Sequence, residues 1–580
     1  MRRHGYRSGV TDDRLNPLQR DEAIATLSTT SAQEPLDLLV IGGGVVGTGA
    51  ALDAASRGLS VALVEQRDLA AGTSSRSSRL AHGGLRYLEN REFGLVHEAL
   101  TERGLLLDRI APHLVSPLPF VMPLAGRAWE KTYVGAGVTL YDVLSRVGAY
   151  GGTLPRPRTL SRAAVLGVAP SLAGGAVKGG VRFHDAQIDD ARHTVATART
   201  AVAHGAAVVT RCRAVGALTQ PAPDGDDRVV GAVVEVDGRT IEVHARAVLA
   251  ATGVWTDESK ALFGAADDSS QVRQAKGVHL IVPRDRIRST TAIITRTPTS
   301  VLFLLPWGDK WLVGTTDTDY DGDLADPRAT ATDVDYLLEQ ANHWLEPPLT
   351  RSDIVGVYCG LRPLVAAQLA QGSDPGTAEL SREHVVLRPR PGLVMIAGGK
   401  YTTYRVMARD AVDAVVAERT AYVGGEPAPC RTDEIPLVGA DGYADLWPAR
   451  ARLAREWGVP DEVVVHLLRR HGDRAGRVVD ILAEDPSLGE RLHPAAPYLA
   501  AEVVVAVRDE GARTVEDVLV RRTRVALETA DVGRACLPRV VGLMARELGW
   551  DAARCDAETQ RYLQDWPDSW QQEIAETQDE

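Results

Sequence analysis

Three glycines, Gly42, Gly44 and Gly47, follow the apolar run Leu38-Leu39-Val40-Ile41 in G-x-G-x-x-G spacing. In that pattern the first glycine permits a tight turn, the second lets the backbone approach a pyrophosphate, and the third lets helix and strand pack closely. The helix that follows offers unpaired N–H groups and partial positive charge to the phosphates. Glu65, at the end of the next apolar run, can accept hydrogen bonds from ribose hydroxyls and would repel a 2′-phosphate. The pattern points to FAD or NAD over NADP and does not choose between them. Downstream, Gly72-Thr73-Ser74-Ser75-Arg76-Ser77-Ser78-Arg79-Leu80-Ala81-His82-Gly83-Gly84-Leu85-Arg86-Tyr87-Leu88 crowds hydroxyls, glycines and arginines together. Leu80, Leu85, Tyr87 and Leu88 make it too apolar for a solvated linker. Its hydroxyls and backbone amides suit pyrophosphate and ribityl contacts, so Thr73, Ser74, Ser75, Ser78, Leu80, His82, Gly83 and Gly84 are candidate cofactor contacts. Arg86 could serve an anionic ligand.

These residues need a frame. Leu38–Ile41 has the length of a buried strand, a helix-like segment runs to Arg57 and is closed by Gly58, and Ser60–Val64 is a second strand. The run from Ala247 to Thr252 and Gly253 reads as a strand returning beside them, which puts Thr252 and Gly253 on the adenosine side. Val96, Leu100 and Leu107 share one helical stripe within residues 92–110. Residues 181–256 hold a helical segment and then short β-branched runs with Asp-Gly turns. Residues 270–400 are short apolar runs punctuated by Gly, Pro and Asp, as in an antiparallel sheet.

The chain has 580 residues, roughly three to four domain equivalents by length. A net charge of −12, from 65 basic and 77 acidic residues, argues against non-specific nucleic-acid binding. Five scattered cysteines without a C-x-x-C pair indicate neither a disulfide framework nor a cysteine metal site, and fit a reducing cytoplasm. No run approaches the ~18 apolar residues that span a bilayer. Arg2 and Arg3 have no apolar core behind them, so no signal peptide is expected. Residues 1–34 are polar, lack periodicity, and read as a mobile N-terminal tail, with docking elsewhere on the protein left open.

The run from Thr73 to Glu89, following that glycine turn, resembles the FAD-dependent, quinone-linked glycerol-3-phosphate dehydrogenases of the D-amino-acid-oxidase-like flavoenzyme group. The resemblance continues at Ala275-Lys276-Gly277-Val278-His279-Leu280, Leu305-Pro306-Trp307, Gly314-Thr315-Thr316-Asp317, Cys359-Gly360-Leu361-Arg362-Pro363-Leu364 and Gly398-Gly399-Lys400-Tyr401-Thr402-Thr403-Tyr404-Arg405. It implies FAD as cofactor and sn-glycerol 3-phosphate as substrate, oxidised at C2 to dihydroxyacetone phosphate. It also implies electron transfer to a membrane quinone by a protein docked peripherally on the cytoplasmic face of the inner membrane, with a homodimer left open. Such chemistry needs cations for a near-dianionic phosphate, a hydride acceptor, and a group to take the hydroxyl proton. The resemblance supplies Arg86, Tyr87, His279, Arg362, Arg382 and Lys400 as substrate contacts, with His279, Arg362 and Lys400 catalytic; the block holding Arg382 matches less well. It adds Gly399, Lys400, Thr402 and Thr403 to the cofactor contacts and implies no metal. A neutral His279 imidazole can accept the proton, although a neighbouring arginine or a water could relay it. Lys400 would stabilise negative charge on the reduced flavin. A soluble oxidase using oxygen, or a sister FAD oxidoreductase acting on another anionic hydroxy or amino substrate, stays open.

The expected fold combines α/β and α+β parts. A Rossmann-like FAD-binding domain (about 35–125, 181–256 and 390–425) is interleaved with an antiparallel-sheet substrate domain (about 126–180 and 257–389). After Gly424-Gly425 an all-helical C-terminal domain (426–580) has expected helices at 461–470, 475–484, 498–510, 514–527 and 533–547, with Thr514 and Asp517 as a cap. His466 and His471 lack a suitably spaced carboxylate and are not read as metal ligands. Residues 127–150 combine Trp129, Tyr133, Leu140, Tyr141 and Leu144 with Arg127, Lys131 and Arg146, a mixture suited to a membrane interface.

Overall fold

In the computed structural model, which describes residues 12–88, 92–126, 130–146, 154–221, 227–265, 271–298, 300–366, 383–567 and 570–571, the first described element is a helix packed on the protein, so the described part of the expected tail is docked and not mobile. Helix α1 (Pro17–Thr29) starts at Asn16, whose side chain accepts the Gln19 N–H, with Pro17 at its first turn. Its buried stripe is Arg20, Ala23, Ile24 and Leu27, at i, i+3, i+4 and i+7. Arg20 hides the pattern because a charged residue takes an apolar position. It is satisfied there by the Thr210 carbonyl and by Asp237, 2.7 Å away. Asp13 anchors the preceding turn through Arg199 at 2.7 Å and Arg474 at 2.9 Å.

Four consecutive apolar residues have no polar face to show to water, and β1 (Leu38–Ile41) is accordingly the buried centre of a six-stranded sheet. The order is His384–Arg390, Leu393–Gly398, Val248–Ala250, β1, β2 (Val61–Glu65) and Ala207–Thr210. All are parallel except His384–Arg390. Helix α2 (Val45–Ser56) follows the glycine turn, and its small residues let the helices Asp190–Ala203 and Tyr404–Val423 approach closely. A second, ten-stranded sheet carries the strands Gln271–Pro283 and Gly356–Ala366, paired antiparallel along their length.

The C-terminal region is helical, with Asp461–His471, Ala475–Glu484, Ala500–Arg508 and Leu537–Leu548 near their expected places. The segment expected as one helix at 514–527 is helical but interrupted: a π-helix, Asp517–Arg522, breaks at Thr523 and Arg524 before a short α-helix, Val525–Glu528. Thr514 and Asp517 cap it reciprocally. Its junction with the sheets is built of buried charge. Asp68 pairs with Arg521 at 2.5 Å and Arg522 at 2.7 Å, and Arg524 pairs with Asp189 at 2.7 Å. His466 and His471 do meet a carboxylate, Glu502, but Arg470 shares it, which makes the group an ion cluster.

Helix Glu130–Arg146 splits the expected interfacial surface in two. Tyr141 is 2 % exposed, accepting the Gly83 N–H and donating to Asp185, and Leu144 packs against it. Tyr133, Leu140 and Val143 face outward. Arg127 and Trp129 lie outside the described residues, as does the Lys131 side chain.

Candidate active site

A cavity of about 730 Å³ lies between the two sheets, inside the range of roughly 300–1,000 Å³ typical of ligand sites. One end is the turn between β1 and α2. A Cβ on Gly47 would come within 1.9 Å of the Gly42 carbonyl oxygen, so the third glycine is what lets α2 pack on the turn. Gly42 itself has φ +113°, a left-handed conformation that favours glycine. A Cβ on Gly44 would meet only the Ser74 hydroxyl, at 3.2 Å, with the cavity beyond it. The α2 first turn carries no acidic residue and Gly44 supplies no side-chain cap. Its positive end therefore stays available to an anion, with the Val45 N–H donated to Ser74 Oγ at 2.9 Å.

Glu65 does more than expected. Its Oε2 accepts from the Gly43 N–H and its Oε1 from the Arg67 N–H, both at 2.7 Å. The carboxylate first holds the glycine turn shut and lines the cavity with its remaining lone pairs. Thr73, Ser74, Ser78, His82, Thr252, Gly253 and Gly399 also line it. Gly47, Ser75, Leu80, Gly83, Gly84, Thr402 and Thr403, expected as cofactor contacts, are not part of that lining. They act behind it. Leu80 pairs with Gln187, and the Ser75 carbonyl accepts from Arg524. Thr402 Oγ1 accepts the His82 N–H and donates to the His82 carbonyl. Thr403 donates to the Lys400 carbonyl, and Gly84, at φ +77°, leaves room for the Tyr87 ring.

The other end is built on the long strand pair. Its register sets His279 opposite Tyr358 and Arg362 opposite Ala275. With side chains alternating, Ala275, Gly277 and His279 share one face with Tyr358, Gly360 and Arg362. The small residues form a floor from which the large ones stand. A Cβ at Gly277 would sit 2.6 Å from Arg362 Nη2, so glycine makes the space that the guanidinium fills. Arg362 donates to Asp317 Oδ1 and to Thr315 Oγ1, both at 3.1 Å, and lines the cavity. It braces the 315–317 loop and faces the ligand space at once. The His279 ring stacks on Tyr358 at 4.8 Å and 5°, with Nε2 2.9 Å from Ser78 Oγ. Lys400 Nζ lies 3.4 Å from the centre of the Tyr87 ring. Arg86 belongs to the turn Leu85–Leu88, but its side chain and the whole of Arg382 lie outside the described residues.

Sequence reasoning missed several lining residues. Tyr358, which stacks on His279 without lining the cavity, was within reach too, because stepping back from Arg362 two residues at a time arrives at it. Trp255, with Arg67 5.5 Å from its ring centre, and the segment Cys212–Val215 carry no local signal. They reach the cavity only through strand order.

Burial, with Arg362 and then Arg79, lowers the His279 pKa to about 3, and burial alone accounts for the similar fall to about 3 at His193. Both rings are neutral when folded. The unfolded chain, with histidines near 6.5, binds more protons as pH falls, so this stability is complete above about 6.5 and lost below it. Each histidine should cost about 2 kcal/mol of folding stability between pH 7 and pH 5. Denaturant melts of the protein at the two pH values should show a loss of at least this size, because burial lowers His82, His113 and His471 as well, and His193→Asn should reduce it by about 2 kcal/mol. Equal stability at pH 5 and pH 7 would contradict the assignment.

A family profile described as "FAD dependent oxidoreductase" matches residues 37–405, and one described as "C-terminal domain of alpha-glycerophosphate oxidase" matches residues 430–555. The chain is 49% identical over 550 residues to a glycerol-3-phosphate dehydrogenase of Mycobacterium leprae, covering 94% of this chain and 90% of the relative. It is 35% identical over 563 residues to the mitochondrial glycerol-3-phosphate dehydrogenase of Bos taurus, covering 93% and 74%. A solved structure of the glycerol-3-phosphate dehydrogenase from Bacillus halodurans, complexed with FAD, superposes with a TM-score of 0.76 at 27% identity, covering 96% of this chain and 98% of that one. The cofactor is FAD, and the glycine turn, the Glu65 carboxylate and the cavity between the sheets fit it. The chain belongs to the FAD-dependent glycerol-3-phosphate dehydrogenases of the D-amino-acid-oxidase-like flavoenzymes.

Proposed function

We propose that the protein oxidises sn-glycerol 3-phosphate to dihydroxyacetone phosphate and passes the electrons to a membrane quinone. The observation that carries this reading is one cavity with the glycine turn at one end and His279, Arg362 and Lys400 at the other. FAD bound there supplies the hydride acceptor for C2. Arg362 and Lys400 bind the substrate phosphate, with Arg86 and Arg382 assigned to it by the resemblance. The C2 hydroxyl proton passes to His279 Nε2 through Ser78 Oγ, which lies 2.9 Å from that nitrogen, and the stacked Tyr358 ring holds the imidazole in place. Burial and the arginine field keep that ring unprotonated but weakly basic; the arriving phosphate dianion offsets the arginine field and raises its basicity as the proton transfers. Anaerobic titration of the holoenzyme with glycerol 3-phosphate should bleach the flavin absorbance, and a quinone analogue should restore it. Rapid peroxide formation with oxygen would favour the oxidase reading instead, and flavin that stays coloured would defeat both.

No helix among the described residues is long and apolar enough to cross a membrane, so docking to quinone is peripheral in this reading. The supporting surface is on Glu130–Arg146, where Tyr133, Leu140 and Val143 are 48 %, 39 % and 50 % exposed at i, i+7 and i+10. Combined Tyr133→Asp, Leu140→Asp and Val143→Asp should move the protein from sedimenting anionic vesicles to the supernatant, with dye-linked activity retained. If the variant still sediments with the vesicles, this face is not the contact.

A further inference from the structure

Between the C-terminal helices and the site lies a buried cluster that the mechanism leaves unused. Arg524, 0 % exposed, sits in the bend between the π-helix Asp517–Arg522 and the helix Val525–Glu528. Its Nη2 donates to Asp189 Oδ1 at 2.7 Å and Asp190 Oδ1 at 2.5 Å, and its Nη1 donates to the Ser75 carbonyl at 3.3 Å. Asp190, equally buried, faces both halves of the substrate end. Its Oδ2 accepts from Ser77 Oγ at 2.6 Å and Ser77 N–H at 3.1 Å, while its carbonyl accepts from Tyr401 at 2.7 Å. Ser77 precedes Ser78, and Tyr401 follows Lys400. The Ser77 carbonyl takes the Tyr358 hydroxyl at 2.9 Å, and Tyr358 is the ring on which His279 stacks.

A second hold lies two residues along. Arg79, at φ +54°, stands in the left-handed region that a non-glycine residue occupies only when its surroundings enforce it. Its guanidinium lies 4.2 Å from the centre of the Trp307 ring and 3.7 Å from Glu528. Glu528 in turn accepts the Trp307 indole N–H at 2.9 Å. The loop from Ser75 to Arg79 is thus gripped at both ends from the C-terminal side. Burying a guanidinium and two carboxylates carries a desolvation penalty that well-packed apolar side chains would avoid. What the charges supply is direction, since a guanidinium donates at fixed angles in one plane.

We propose that Arg524 is a positioning residue for the reaction, acting through Asp190 and Ser77 to fix Ser78 and Tyr358 about the His279 ring, so that the helical domain orients the group that takes the C2 proton. The proposal rests on the proton-accepting role given to His279 above. Lysine at 524 keeps the charge but cannot reach Asp189, Asp190 and the Ser75 carbonyl together. In the flavin-loaded full chain, Arg524→Lys should lower kcat about tenfold or more while KM for glycerol 3-phosphate moves less than about threefold. Flavin content should stay at the wild-type level. Because the effect runs through His279, Arg524→Lys placed on His279→Asn should cost little beyond His279→Asn alone. Ser77→Ala removes the shorter, hydroxyl half of the link to Asp190, leaving only the Ser77 N–H bond, and keeps the contacts of Arg524 itself. It should show the same split and the same non-additivity, and it carries the test if Arg524→Lys does not fold. Losses that multiply in the His279→Asn background, or a rise in KM with kcat kept, would overturn the positioning role alone. An unchanged kcat in His279→Asn would bring down the proton-accepting reading, and this proposal with it.

Discussion

Arg362→Ala should lower kcat/KM for glycerol 3-phosphate by about 10²–10⁴-fold. A charge-assisted hydrogen bond to an ion is worth roughly 1.5–3 kcal/mol, and a guanidinium fork can make two to one phosphate. The side chain also braces its own surroundings, because it donates to Thr315 Oγ1 and to Asp317, whose side chain is only 7 % exposed. Alanine leaves that carboxylate without its partner guanidinium, so part of the loss could come from a loosened 315–317 loop. Two controls separate the contributions. Glycerol, which has no phosphate, should react poorly with the wild type and be nearly indifferent to the substitution. Arg362→Lys keeps one charge without the fork and should recover about tenfold of the alanine loss. If glycerol and glycerol 3-phosphate suffer equally, Arg362 holds the fold or the flavin and is not the phosphate's partner.

What the sequence made legible follows a physical pattern. Where the signal is local, it reads directly. The strand Leu38–Ile41 has no polar face, the glycine spacing fixes the turn, and the run Ala247 to Ala250 is apolar enough to return beside it. His279 and Arg362 come from segments far apart in the chain, and only the family resemblance joined them. The antiparallel register then explains why they meet. The misses come from charge placed where apolar residues are the usual marker. Arg20 sits in the buried stripe of α1, so the helix reads as a polar tail. The C-terminal domain meets the sheets through Asp68, Arg521, Arg522 and Arg524, and a charged segment on a sequence page looks like a solvated face. Glu65 reads as a partner of the ribose alone, because the two backbone amides whose bonds it accepts become neighbours only after the turn closes. Leu144, expected at the interface, packs inward while Val143 faces out, for a simpler reason. Adjacent positions on a helix lie about 100° apart, and an aromatic-rich stretch does not say which side is buried.

The largest effect on the cofactor should come from the two glycines, which fail in different ways. Gly44 has φ −75° and ψ 178°, a conformation open to any residue. A Cβ there meets only the Ser74 hydroxyl, which can rotate. Valine at 44 is therefore compatible with the backbone, but its methyl groups occupy the space above the α2 amino terminus, where the pyrophosphate must approach. Gly44→Val should be soluble and folded, and colourless. Gly47 is different, because a Cβ there would lie 1.9 Å from the Gly42 oxygen, an overlap that no rotamer relieves. Gly47→Val must push α2 off the turn, and α2 is buried along almost its whole length. That variant should lose the fold along with the flavin and appear in the insoluble fraction. Melting with added FAD separates the two cases. Binding to the native state alone stabilises by about 2.7 kcal/mol at a hundredfold excess over Kd. FAD should therefore raise the melting temperature of flavin-stripped wild type and leave that of Gly44→Val where it was. A Gly44→Val protein that purifies yellow with full flavin occupancy would show that the pyrophosphate does not approach over this glycine.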